Sequence, residues 1–365
     1  MAFGDREEKM KRPDSLPVFT LKGHRLGLGQ PCFMVAEIGV NHNGDLELAL
    51  KTIEAAARAG AQAVKFQTFR AEEFVADPNL SYTYSLANGK RVTETQYEMF
   101  KRLELPHEWH SILRDAAREK GLLFFSSTAD PEAVELLASL GAPVLKLASE
   151  DLINIRLLEH VAQTRLPVIL STGMADKKEM LKALDILDKG GSPQVLLLHT
   201  TSSYPAPPES LNLRRISALA KEFKRLVGFS DHSQGWQAGC AARCLGACLL
   251  EKHFTLNKEL NGPDHRFSAD PAEFSLLVRR VREMETMLGP GGLNFSPLEE
   301  TGRKEYRRSI VAQRDISPGE IITEDMLAYK RPGLGLSPLD RDLIIGKKAI
   351  INLNKNQLIT LKDLK

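Results

Sequence analysis

Short apolar runs that stop abruptly at polar residues recur along the chain, and stretches with helical spacing separate them. From Phe33 onward eight such runs can be counted: Phe33 to Ile38, Ala63 to Gln67, Leu122 to Ser126, Val144 to Leu147, Pro167 to Ser171, Val195 to His199, Leu226 to Phe229 and Cys248 to Lys252. Runs of this length and composition read as buried strands. The segments between them and after the last carry helical patterns: Leu46 to Ala59, Pro106 to Lys120, Pro131 to Leu140, Ile155 to Thr164, Lys177 to Lys189, Leu213 to Phe223, Gln234 to Leu245 and Pro271 to Leu288. Asp130-Pro131 and Asp270-Pro271 place a capping carboxylate before a proline that suits the first helical turn. Eight strand–helix repeats predict an α/β fold, a closed (β/α)8 TIM barrel over residues 33–288, in preference to an open sheet.

The segments outside that count read differently. Residues 1–32 divide into a charged, solvated arm to about residue 15 and a small hairpin, Thr20-Leu-Lys with Arg25-Leu-Gly, expected to plug the bottom of the barrel. Thr68 to Leu105 is too long for a plain connection and carries Tyr82, Tyr84 and a helical pattern near Thr95 to Leu103, so a lid or subunit-contact excursion is expected. Residues 289–306 read as a linker opening on Gly289-Pro-Gly-Gly292. From 307 to 365 short strands alternate with Pro and Gly turns, which predicts a small β-rich module that needs packing against something larger.

Composition narrows the function class. The 365 residues carry 49 Lys plus Arg against 47 Asp plus Glu, a net charge of +2, so no whole-protein field points to nucleic acid or a membrane. No apolar stretch approaches the roughly 18 residues of a membrane span, and the start lacks a signal-peptide core, so a cytoplasmic enzyme is expected. Of four cysteines, Cys240, Cys244 and Cys248 have helical spacing and are expected to pack as one buried stripe rather than as a ligand cluster.

Candidate chemistry gathers at the C-terminal ends of the strands, where barrel enzymes place it. In order these ends give Glu37, Lys65 with Gln67, Ser126-Ser127-Thr128, Lys146 with Ser149, Ser171-Thr172, His199 to Ser203, Ser230-Asp231-His232 and His253. His232 and His253 should close adjacent parallel strands and face one cleft, as a two-imidazole half-site for a divalent metal. Lys65 and Lys146 sit inside apolar strands and each asks for a buried negative partner, an internal acid such as Glu37 or Asp151, or an anionic ligand. Hydroxyls, lysines and strand-end amides together make a cradle for a phosphate or carboxylate. Glu37, Asp151 and Asp264 are available for proton transfer or hydroxyl binding. These parts suit addition of a phosphorylated carbon nucleophile to a metal-polarised aldehyde.

The stretches Ala36-Glu-Ile-Gly-Val-Asn-His-Asn-Gly44, Lys146-Leu-Ala-Ser-Glu-Asp151, Leu170-Ser-Thr-Gly-Met174, Leu197-Leu-His-Thr-Thr-Ser-Ser-Tyr-Pro205, Gly228-Phe-Ser-Asp-His232, Glu251-Lys-His-Phe-Thr255 and Gly262-Pro-Asp-His-Arg-Phe-Ser268 resemble the N-acetylneuraminate (sialic acid) synthase family. The tail, with Arg314-Asp-Ile-Ser-Pro-Gly-Glu320 and Lys330-Arg-Pro-Gly333, resembles the antifreeze-like (SAF) domain that follows the barrel in that family. The resemblance implies a transferase that condenses phosphoenolpyruvate with N-acetylmannosamine or a related N-acyl amino-hexose, giving a nine-carbon 2-keto acid and phosphate. It implies a Mn or Mg ion on His232 and His253. It implies that Lys65, Ser127 and Lys146 hold the phosphoenolpyruvate carboxylate and that Ser149, Ser171, Ser202 and Ser230 surround its phosphate. Glu37, Gln67, Tyr204, Asp264 and the acid after Ser149 would face the sugar. Family members often place Gly where this chain has Glu150; register assigns the role to Asp151 and leaves Glu150 outward. In this family the C-terminal module crosses to a partner, so Arg331 would reach the other chain's sugar in a domain-swapped homodimer. Rival readings are a legionaminic, pseudaminic or spore-coat polysaccharide synthase of the same family, a scaffold that lost catalysis, and a Schiff-base aldolase using Lys146.

Overall fold

The computed structural model describes residues 18–289 and 291–365, and these two stretches are two compact units. The charged arm expected up to residue 15 lies outside the described residues. Eight parallel strands close a barrel in the first unit: Phe33–Gly39, Ala63–Thr68, Leu123–Thr128, Leu145–Leu147, Val168–Ser171, Val195–Thr200, Val227–Asp231 and Leu249–His253. A helix follows each strand before the next, and Pro271–Leu288 follows the last. The Asp-Pro pairs start helices as the sequence predicts: Asp130 accepts from the Ala133 amide at 2.8 Å, and Asp270 forms a reciprocal cap with Glu273.

Period-two alternation divides each strand between two cores. Outward residues such as Met34, Val64 and Leu197 pack under the helices. Inward residues Val35, Ala63, Phe125, Val144, Ile169 and Leu198 fill the lower barrel, where Phe19, Leu21 and Leu26 of the hairpin Phe19–Leu21 and His24–Leu26 close them off. The plug expected from the Gly-rich turns is therefore present. At Gly228 a Cβ would lie 2.6 Å from Leu198 Cδ2 and 2.8 Å from the Leu249 carbonyl, so the barrel interior has room only for glycine there.

The excursion after the second strand is structured: helix Ala71–Phe74, an antiparallel hairpin Ser81–Ser85 with Arg91–Thr95, and helix Gln96–Leu103. One expectation needs correction. Helix Gln237–Cys244 ends at Cys244, which is exposed, while Cys240 and Cys248 are buried, so the three cysteines share no single stripe. In the second unit, residues 299–306 of the expected linker form helix Glu299–Tyr306. Strands Ser309–Ala312 and Leu327–Lys330 pair antiparallel over a core that includes Ile310, Ile316, Ile322, Ile344 and Ile359.

Candidate active site

Two residues above the apolar floor, the same inward faces turn polar. Glu37, Lys65, Ser127, Lys146, Ser171, Ser230, Glu251 and His253 all come from barrel strands and line a cavity of about 100 Å3, closed further by Gln67, Ser149, Asp151, Tyr204 and His232. Most of the residues expected from the sequence therefore meet in one chamber. Asp264 lines a second cavity of about 260 Å3 that shares Gln67, Phe69, Phe74, Glu150, Tyr204 and His253 with the first. Ser202 is exposed at the rim, beside Ser149: a Cβ at Gly173 would lie 2.6 Å from Ser202 Oγ and 2.7 Å from Ser149 Oγ, and the Gly173 amide donates to Ser149 Oγ at 3.2 Å. Arg331 belongs to the second unit, just after strand Leu327–Lys330, with its guanidinium 5.6 Å from the centre of the Tyr306 ring.

The two lysines differ. Lys65 Nζ lies 2.7 Å from Glu37 Oε1 and 3.9 Å from Glu251 Oε1, an ion group buried on every side. Burial alone would depress the ammonium, but Glu251 and Glu37 hold it above its ordinary value. Among the described residues Lys146 has no internal acid, which leaves the second of the two expected partners, an anionic ligand. Its Nζ donates to Ser171 Oγ at 2.7 Å and to the Leu147 carbonyl at 3.1 Å, and among the described residues no carboxylate reaches ion-pair distance. Burial lowers its pKa, opposed by the more distant Glu251. A lysine solvated only by a hydroxyl and a carbonyl has a charge to offer to an anion.

The acids are equally uneven. Burial pushes Glu37 up to about 7 against the pull of Lys65, and its Oε2 has no hydrogen-bond partner. Burial pushes Asp151 up to about 7, with the neighbouring Glu150 adding to the rise. Asp264 is likewise raised by burial to about 7. Glu251 goes the other way: burial would raise it, but Lys65, Lys146 and a 3.0 Å bond from Ser230 Oγ hold it below its ordinary value. Glu150 is exposed, as the sequence suggests, yet it borders both cavities instead of pointing away from them.

His232 and His253 close adjacent strands with ring centres 5.5 Å apart, and Tyr204 lies over His232 at 4.2 Å. His232 Nδ1 pairs with the Thr201 carbonyl at 2.8 Å, which assigns the proton to Nδ1 and leaves Nε2 as the lone-pair nitrogen. His253 Nδ1 is buried without a hydrogen-bond partner, 3.4 Å from Asp264 Oδ2. Burial lowers the His232 pKa to about 4 and drives His253 well below its ordinary value. Two neutral imidazoles, one with an orphan nitrogen, are a donor set that fits a divalent first-row ion. Among the described residues no group of three or more His, Cys, Asp or Glu is arranged to hold a metal.

Glu251 was not among the residues singled out from the sequence. The signal was available, because it stands two positions before His253 on one strand and so shares its inward face. The same alternation removes others. His199 turns outward, its Nε2 against the Leu211 carbonyl at 2.7 Å, Ser126 bonds Thr68 behind the barrel wall, and Asp231 pairs with Lys252 at 2.8 Å.

Residues 52–292 match the model of the NeuB family, and residues 307–365 match the SAF domain. The chain belongs to the NeuB family. This NeuB-family chain is 42% identical over 332 residues to N,N'-diacetyllegionaminic acid synthase of Legionella pneumophila, covering 90% of this chain and 93% of the relative. It is 35% identical over 339 residues to N-acetylneuraminate-9-phosphate synthase of Homo sapiens, covering 92% and 94%. The crystal structure of N-acetylneuraminic acid (sialic acid) synthetase from Leptospira borgpetersenii in complex with citrate superposes with a TM-score of 0.71 at 35% identity, covering 78% of this chain and 95% of that one. The (β/α)8 barrel followed by a SAF domain, and the enzymatic, synthase character of the chain, agree with the sequence reading. Among the described residues no helix is long and apolar enough to cross a membrane.

Proposed function

We propose that the chain condenses phosphoenolpyruvate with an N-acyl amino-hexose and water to give a nine-carbon 2-keto acid and phosphate. The observation that carries this reading is the pair of lysines set among hydroxyls beside two neutral histidines: Lys65 is already paired, Lys146 is not. Lys65, Lys146 and Ser127 would take the carboxylate, and Ser149, Ser171, Ser202 and Ser230 the phosphate. A Mn or Mg ion on His232 and His253 would polarise the aldehyde of the open-chain sugar. Carbon 3 of phosphoenolpyruvate attacks that aldehyde, water adds at carbon 2, and the tetrahedral intermediate loses phosphate by C–O cleavage. Glu37 would take the proton of the adding water; its pKa of about 7 and its free Oε2 support that role. Gln67, Tyr204, Asp151 and Asp264 would orient the sugar, and Arg331 of a domain-swapped partner would meet its acyl group.

N-acetylmannosamine and the diacetamido sugar of the legionaminic route are the acceptors in view, and the 42% identity to a legionaminic acid synthase supports the second. The test is phosphate release from phosphoenolpyruvate with Mn, run against N-acetylmannosamine, its 6-phosphate and the diacetamido sugars of the legionaminic and pseudaminic routes, with a chelator control. Release with one sugar, abolished by chelation, is expected. Silence with every sugar would overturn the reading.

A further inference from the structure

The barrel ladder stops just short of the two histidines. Between strands Val227–Asp231 and Leu249–His253 the registered pairs are Phe229 with Leu250, Ser230 with Glu251 and, last, Asp231 with Lys252. His232 follows that last pair on one strand and His253 on the other, and His253 registers with Glu37 on its far side instead. Among the described residues no backbone pair therefore sets the distance between the two rings, 5.5 Å from centre to centre. A side-chain tie stands at that last rung, outside the chamber. Lys252 Nζ donates to Asp231 Oδ2 at 2.8 Å and to the Ser233 carbonyl at 2.6 Å. Asp231 Oδ1 in turn accepts from the Ser233 amide at 2.9 Å and from the Ser233 hydroxyl at 2.6 Å. All three residues are buried. His232 is thus the middle residue of a turn closed by Asp231 and Ser233, and the ammonium of the residue before His253 grips the chain on both sides of it.

We propose that Asp231, Lys252 and Ser233 are positioning residues for the histidine pair: their tie fixes the separation and approach of the two imidazoles, and with them the affinity of the site for a divalent ion. The inference rests on the assignment of a metal to His232 and His253 in the synthase reading above. Stability does not account for the tie, since a buried ion pair can often be replaced by apolar side chains of similar volume without loss. Its placement does. A site held by side chains from two strands depends directly on the spacing of those strands, and the groups behind the ligands set it. The other contacts of the histidines refer to neither strand's partner. The Thr201 carbonyl meets His232 Nδ1, the Ala206 amide donates to the His232 carbonyl at 2.9 Å, and the Ala269 amide donates to the His253 carbonyl at 2.7 Å. Ser230 and Glu251 also link the two strands, one rung lower and on the chamber face, but only the outer tie reaches past His232 to Ser233. Because it carries one charge of each sign, it holds the strand ends without adding net charge behind the ion.

The experiment titrates Mn into the full-length protein without substrates and reads free and bound ion by electron paramagnetic resonance. Wild type is expected to bind Mn, and His232→Ala to lose it. Asp231→Asn combined with Lys252→Met removes both charges and the cross-strand bond, while the Asn oxygen can still accept from Ser233. This paired variant should raise the Kd for Mn by about 10-fold or more, the scale of an orienting partner lost behind a metal ligand. The KM for Mn in phosphate release should rise in step, with the KM for phosphoenolpyruvate unchanged. Ser233→Ala, which keeps the ion pair, should weaken Mn binding by about threefold, the scale of one hydrogen bond. Ile169→Ala loosens the barrel below the chamber and should leave the Kd for Mn where it was. A paired variant that binds Mn as tightly as wild type overturns the inference and leaves the synthase reading in place. So does an equal loss of Mn in Ile169→Ala, which would reduce the tie to general support of the fold. Should the paired variant fail to fold, an unchanged Kd in Ser233→Ala overturns the inference in its stead. Wild type that binds no Mn, or His232→Ala that still binds it, overturns the metal assignment of the synthase reading and this inference with it.

Discussion

The lower and upper ends of the barrel interior are made by the same strand faces, two residues apart, and they hold opposite chemistry. Val35 gives way to Glu37, Ala63 to Lys65, Phe125 to Ser127, Val144 to Lys146, Ile169 to Ser171 and Leu249 to Glu251. The floor is sealed by the hairpin residues Phe19, Leu21 and Leu26, so water is excluded from below. The upper layer consequently sits on a dry, close-packed base, and its ammonium and carboxyl groups have only one another and the chamber to answer to. That is why burial, more than any single neighbour, pushes Glu37, Asp151 and Asp264 to about 7. The floor therefore supplies stability that does not depend on pH, and the upper layer spends some of it on charge without full pairing.

The largest effect that would expose this division is expected at Lys65. Lys65→Met leaves Glu37 and Glu251 facing one another in the buried chamber with no cation between them. Breaking a buried pair in this way is expected to cost about 3–5 kcal/mol of stability and to remove phosphate release altogether. Adding Glu37→Gln should return part of the stability, since one of the two stranded acids is gone, and none of the activity. Denaturant titration of the two variants beside the wild type reads the first statement, and phosphate release reads the second. A Lys65→Met protein as stable as wild type would show that the chamber is wetter than its burial indicates.

A smaller and purely structural loss is expected one layer down. Ile169 is fully buried beneath Ser171, and Ile169→Ala opens a cavity in the floor. The cost is expected to be about 2–5 kcal/mol, with kcat per folded molecule nearly unchanged because no polar group of the chamber loses a partner. If kcat falls as steeply as stability, the floor positions Lys146 and Ser171 tightly and the two layers are not separable.

Much of this division was legible in the sequence, because a buried strand that ends in charge announces both its core and its rim. The eight runs, the Asp-Pro helix starts and the plug follow from local patterns that need no knowledge of partners. What escaped depends on which face each polar residue takes or on contacts far along the chain. Ser126, His199 and Asp231 looked equivalent to their neighbours at the strand ends, and alternation turns all three into the helical layer. Glu251 was hidden inside an apolar run although it stands at the centre of the chamber. Which of the two lysines has an internal acid was also not legible: Lys65 pairs with Glu37, and Lys146 has a hydroxyl. The ring contacts of Phe69 and Phe74 with Phe100 join residues about thirty positions apart in an excursion whose sequence gives only its length and a helical pattern.

The smallest effect, and the one that most directly separates the two layers, is the response to pH. In the folded chain the Asp151 carboxyl titrates at about 7, whereas in the unfolded chain it titrates near its ordinary value of roughly 3.9. Between those values the folded state holds a proton that the unfolded state has released, so stability falls as pH rises through the window and levels off above about 7. Glu37 and Asp264, also raised to about 7, act in the same direction. Asp151→Asn should flatten the decline by about 1–2 kcal/mol between pH 5 and pH 8, after allowance for relaxation around the charge, and leave a residual slope from the other two acids. Ile169→Ala, which removes no titrating group and no side-chain hydrogen bond, should lower the whole curve without changing its shape. Activity should run the opposite way in the wild type, rising over the same window as Glu37 and Asp151 become carboxylates able to take protons. Thermal midpoints that rise with pH alongside activity would mean that the acids are already ionised and paired in the folded chain, and that the contrast between a neutral floor and a strained upper layer does not hold.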